Sequence, residues 1–103
     1  MRVHFIAAAV LLMACATPTS GGSRIGDLDS NSATDCQYLA DISESQYSGM
    51  LFAGQGLEGA RAKVRNRASD MGATHVVWGS MSAGGAVQVA SAKAHKCPTA
   101  PAG

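Results

Sequence analysis

The stretch GLEGARAKVRNRASDMG, residues 56–72, constrains the fold more than any other part of the chain. Leu57, Ala60, Val64, Ala68 and Met71 recur at spacings of three and four residues, which sets them on one face of a helix. The span from Leu57 to Met71 would make a helix of roughly 22 Å. Gly72 then supplies a stop, because a positive φ costs glycine little. Glu58 falls in the first turn, where a negative charge suits the helix dipole. Gly59 is a weak point, worth about 1 kcal/mol relative to Ala.

Two strand-like segments follow this helix, ATHVVWGSMSA and AVQVASAKAHKC, separated by Gly84-Gly85. They read as a β-hairpin with a two-residue turn. That turn sets Met81 opposite Gln88, Val77 opposite Ala92 and His75 opposite Ala94. One face then carries His75, Val77, Gly79 and Met81 with Gln88, Ala90, Ala92 and Ala94. Its small residues invite close approach, so the helix is expected on that side. The other face carries Val76, Trp78, Val87 and Val89 with Lys93 and His95. It is either a half-solvated sheet surface or a docking patch for a partner. A shift of register would exchange the two faces.

Ahead of the helix, CQYLADISESQY reads as a strand through Tyr38, Leu39, Ile42 and Tyr47. The Gly-rich SGMLFAGQG connects it to the helix, and its Met50, Leu51 and Phe52 form either a plug over the core or an exposed loop. The expected fold is thus α/β of the α+β kind. It has the order β-α-β-β, with one helix on a three-stranded sheet, over residues 35–98. Cys36 opens the first strand and Cys97 closes the last, so a disulfide between them is expected. The long loop it closes would make it worth roughly 4 kcal/mol in a chain with so thin a core.

The first fourteen residues have a different character. Arg2 precedes the apolar run FIAAAVLLMA, which at ten residues is about half the length a spanning helix needs. A basic start, a short apolar run and small residues after it make a signal peptide, residues 1–14. Leu12-Met13-Ala14-Cys15 resembles a bacterial lipobox, which implies a lipid on Cys15. Ala14-Cys15-Ala16 also fits ordinary signal cleavage, which would discard that cysteine. Either cut leaves Cys36 and Cys97 as an even pair in an oxidising compartment. Residues 15–34 are polar and small and read as a flexible, lipid-anchored tether. Residues 99–103 read as a disordered tail.

From Cys15 onward seven Lys and Arg balance seven Asp and Glu, so no global field draws nucleic acid. Arg61, Lys63, Arg65 and Arg67 flank the helical stripe. They are either a solvated helix surface or contacts to lipid headgroups. The chain has neither a CxxC nor an HxxxH spacing and no G-x-S-x-G, so no catalytic residue, metal ligand set or cofactor is assigned. In the expected register His75 and His95 lie on opposite faces and share no site.

The segments CQYLADI, ARAKVRNRASDMGATHVVWGS and AHKCP together resemble a family of small uncharacterised bacterial lipoproteins. In that pattern Arg65-Asn66, Ala68, Gly72-Ala73 and Val76-Val77 match. Ala40, Ile42 and His95-Lys96 depart from it. More distantly the chain is similar to RcsF-type envelope-stress lipoproteins, whose domain is a disulfide-bonded α/β unit. The resemblance implies a protein held by lipid at the outer membrane, facing the periplasm, which contacts envelope partners without catalysis. The alternatives are a soluble periplasmic or secreted protein, and a small-ligand or metal-binding domain.

Overall fold

The computed structural model describes residues 19–98. The expected signal peptide, the lipid site at Cys15 and the tail at residues 99–103 lie outside the described residues. Within them the chain forms β1 (Gly26–Asp27), β2 (Gln37–Tyr47), α1 (Ala53–Asp70), β3 (His75–Ser82) and β4 (Val87–Lys96). The domain is α+β, with α1 packed on one face of a mixed four-stranded sheet of order β1-β3-β4-β2. The β-α-β-β core and its single helix agree with the sequence. The strand count does not, because a short parallel strand, β1, adds to the edge of β3.

Small side chains set the spacing between the two layers. Ala60, Val64 and Ala68 on α1 meet Ala90, Ala92 and Ala94 on β4 and Ile42 on β2, all buried. A side chain on Gly56 would meet Gln88 Oε1 at 2.0 Å, so the first turn of the helix rests directly on the sheet there. Met71 lies just past the helix and is exposed, so it is not part of the buried stripe. Gly72 takes a φ of 86° and ends the helix as the sequence requires.

The hairpin register departs from the expected one. His75 pairs with His95, Val76 with Ala94, Val77 with Lys93 and Trp78 with Ala92. The connection runs over residues 83–86, and of its two glycines only Gly85 has a positive φ. A two-residue type I′ turn needs positive φ at both central positions, so the tight turn does not form. Beside the longer loop β3 is moved by two residues, with Met81 opposite Ala90 and Ser82 opposite Val89, and the bulge between Trp78 and Met81 leaves a one-residue shift over His75–Trp78. A one-residue slip exchanges the faces of a strand. The small-residue face of β4 stays under the helix, but on β3 it is Val76 and Trp78 that turn inward.

The segment expected to be a tether is also different. Only its residues 15–18 lie outside the described region. Residues 19–28 are docked on the domain. Thr19 N–H donates to Asn66 Oδ1 at 2.8 Å, and Ile25 is buried in the core. Gly26 N–H and Leu28 N–H donate to the carbonyls of Thr74 and Val76, both at 3.0 Å. A side chain on Gly22 would meet Asn66 Oδ1 at 2.1 Å, so only glycine lets the segment lie this close to α1. Asp29 caps the two-turn 3-10 helix Ser30–Asp35 by accepting from Ser32 N–H. A composition that looks disordered is ordered here by backbone pairing and one buried isoleucine. A disulfide then joins Cys36 to Cys97 and ties β2 to the end of β4.

Candidate interaction surfaces

The residues singled out by sequence as a partner surface do not share one face. Val76 is fully buried, with 0% exposure. Trp78 lies on the same helix-facing side and is half-buried. Val87 and Val89 are on the opposite side of the sheet, Val87 exposed and Val89 half-buried. The patch Val76, Trp78, Val87 and Val89 is therefore not a surface, and the cause is the shifted register.

Trp78 instead joins the cations of α1. Its indole N–H donates to Asp27 Oδ1 at 2.9 Å. The guanidinium groups of Arg61 and Arg65 stand 4.9 and 5.2 Å from its ring centroid. Arg65 also pairs with Asp27 at 3.0 Å and donates to Ile25 O at 3.0 Å. These contacts clamp the docked N-terminal segment to the helix and to the β3 edge. Lys63 donates to Ser45 O at 2.8 Å, Arg67 pairs with Glu44, and Arg61 with Glu58 at 3.4 Å. Each of Arg61, Lys63, Arg65 and Arg67 thus has a partner inside the chain.

The face of the sheet away from α1 is polar at its centre. Asp41 accepts from Lys93 Nζ at 2.9 Å and from Tyr38 Oη at 2.8 Å. The hydrogen bond from Lys93, with that from Tyr38, holds the Asp41 carboxyl below the usual carboxylate range. The bond to Asp41 raises the Tyr38 phenol, and the same carboxylate raises the Lys93 ammonium. Beside this network a groove of about 280 Å³ opens where β3 bulges at Gly79, lined by Ser43, Ser91 and the Asp41–Lys93 pair.

At one end of the sheet the surface becomes apolar. Tyr47 pairs with Val87 across β2 and β4, and both are exposed. The next residues turn through Met50, Leu51 and Phe52 in a single 3-10 turn that leads into α1. Leu51 is 92% exposed and Met50 74%. The reason lies beneath them. Gln88 is fully buried under this end, donating to Gly85 O at 2.8 Å and accepting from Ser48 Oγ at 2.6 Å. Ser48 and Gly49 amides both reach Ala86 O at 3.1 Å. The interior is thus filled by a satisfied amide and backbone bonds, leaving no apolar space for Met50, Leu51 and Phe52. The exposed loop, of the two sequence readings, is the one observed. Its place beside Tyr47 and Val87 was not legible, because it depends on pairing between strands 40 residues apart.

No protein-family model matches the chain, and no curated protein or solved structure matches it either.

Proposed function

We propose that this chain is a lipid-anchored protein of the bacterial cell envelope that acts without catalysis, by contact with another envelope protein through its apolar tip. The lipobox-like Leu12-Met13-Ala14-Cys15 and the small-protein resemblance support the anchor on Cys15 and an outer-membrane position facing the periplasm. The Cys36–Cys97 disulfide supports an oxidising compartment. The observation that carries the contact reading is the exposure of Tyr47, Met50, Leu51, Phe52 and Val87 at one end of a small domain. Clustered exposed apolar side chains mark interaction sites more often than scattered ones do.

Two measurements test this. Intact-mass spectrometry of the mature protein is expected to show an acylated Cys15 at its N-terminus; a chain starting at Thr17 would remove the anchor. A photocrosslinker placed at position 51 in intact cells is expected to trap one discrete protein partner, and Met50→Ser with Phe52→Ser is expected to abolish the adduct. An equal adduct from position 43, on the polar part of the sheet, would overturn the tip as the contact.

A further inference from the structure

The register that buries Val76 has a second effect. It places His75 directly opposite His95 on β3 and β4, and directly opposed residues of an antiparallel pair share a face. Their Cβ atoms then stand about 4.5–5.5 Å apart. Two imidazoles at that separation can reach one ion at about 2.0–2.1 Å from each nitrogen.

The surroundings of the two rings differ in a way that suits metal ligation. His95 is only 8% exposed, and its Nδ1 is buried without a hydrogen-bond partner. A buried polar atom of this kind calls for a partner, and a metal ion is one it can take. Tyr38 packs edge-on against His95 with ring centroids 5.7 Å apart and fixes that side of the ring. His75 Nδ1 lies 2.9 Å from Thr74 Oγ1. Thr74 Oγ1 accepts the Cys97 amide N–H at 2.9 Å and has a second lone pair for His75 Nδ1–H. That arrangement orients the ring and leaves His75 Nε2 free, as outer hydrogen bonds do for metal-bound histidines. Two residues before His95 on the same face of β4, Lys93 is paired with Asp41, and the two charges cancel.

We propose that His75 and His95 form a two-imidazole site for a divalent transition-metal ion of the copper and zinc class. Imidazole ligands suit these ions, and Cu(II) binds such sites most tightly of the first-row series. No group of three or more His, Cys, Asp or Glu among the described residues is placed to hold a metal. Water therefore completes the coordination. The site rests on the sheet register and the surroundings of the two rings, and stands whether or not Cys15 carries a lipid.

The test uses the full chain with its disulfide intact, without a histidine tag, and with His4→Ala to remove the third histidine. Titration with CuCl2 followed by electron paramagnetic resonance is expected to show one equivalent bound with nitrogen couplings, and ZnCl2 to bind more weakly. His75→Gln and His95→Gln are each expected to weaken Cu(II) uptake at least tenfold. Thr74→Val, which keeps both imidazoles, is expected to weaken it about tenfold at unchanged stoichiometry. Circular dichroism of each variant separates loss of a ligand from loss of fold. His75 is only half-buried, so His75→Gln is the decisive change. Absence of saturable one-to-one uptake, or uptake unchanged in folded His75→Gln, would overturn the site.

Discussion

Residues 19–35 and residues 48–52 flank β2, and their fates are opposite to their compositions. The first segment is rich in Ser, Gly and Asp, yet its residues 19–28 are docked on the domain. The second contains the most apolar triplet after the signal-like run, Met50-Leu51-Phe52, yet it faces solvent. The difference shows that burial in this molecule follows available space and backbone partners rather than hydrophobicity. The first segment finds an unpaired stretch of the β3 edge, a gap for Ile25 and a surface that Gly22 can approach. The second finds Gln88 and the Ala86 carbonyl already filling the space below it.

The contrast can be broken most forcefully at the disulfide. Replacing Cys36 and Cys97 with Ser is expected to cost about 4 kcal/mol in urea unfolding, from the loss of a long closed loop. Because Cys36 follows the docked stretch in the chain, protease protection of residues 19–28 is expected to fall along with stability. Next in size is Ile25→Ala, which removes the one large apolar anchor of that segment. It is expected to cost about 3 kcal/mol and to open the chain to trypsin at Arg24. Full protection at Arg24 with an unchanged midpoint would mean that the hydrogen bonds alone hold the segment.

At the other region, Leu51→Ser is expected to leave stability within about 0.5 kcal/mol, because the side chain is almost wholly in water. A large loss there would mean that the tip is packed in solution. The smallest effect is electrostatic. The folded value of Asp41 is depressed, so its contribution is present above the ordinary carboxylate range and is lost as pH falls through the depressed value. Lys93 is raised, so its contribution is present below the ordinary amine range and is lost as pH rises through the raised value. Asp41→Asn is therefore expected to flatten the pH dependence of stability slightly at both ends. All three groups of the network are at the surface, where solvent screens such pairs. An Asp41→Asn profile that overlays the parent at both extremes would remove the network from the account.

The sequence by itself determined the helix, the three long strands and the cysteine pairing of this protein. The helix follows from the three-and-four spacing of Leu57, Ala60, Val64 and Ala68, and its end from Gly72. Strand β2 follows from Tyr38, Leu39, Ile42 and Tyr47, and the small-residue face of β4 from Ala90, Ala92 and Ala94. Only the tertiary structure decided the register of β3, and with it the burial of Val76, the clamp around Trp78 and the meeting of His75 with His95. Side-chain periodicity in a strand specifies which residues alternate, whereas the turn and the bulge between Trp78 and Met81 together specify which set faces inward. The docked N-terminal segment and the exposed tip were illegible for a related reason. Both depend on what the rest of the chain leaves unpaired or unfilled, and that is a property of the assembled sheet and helix.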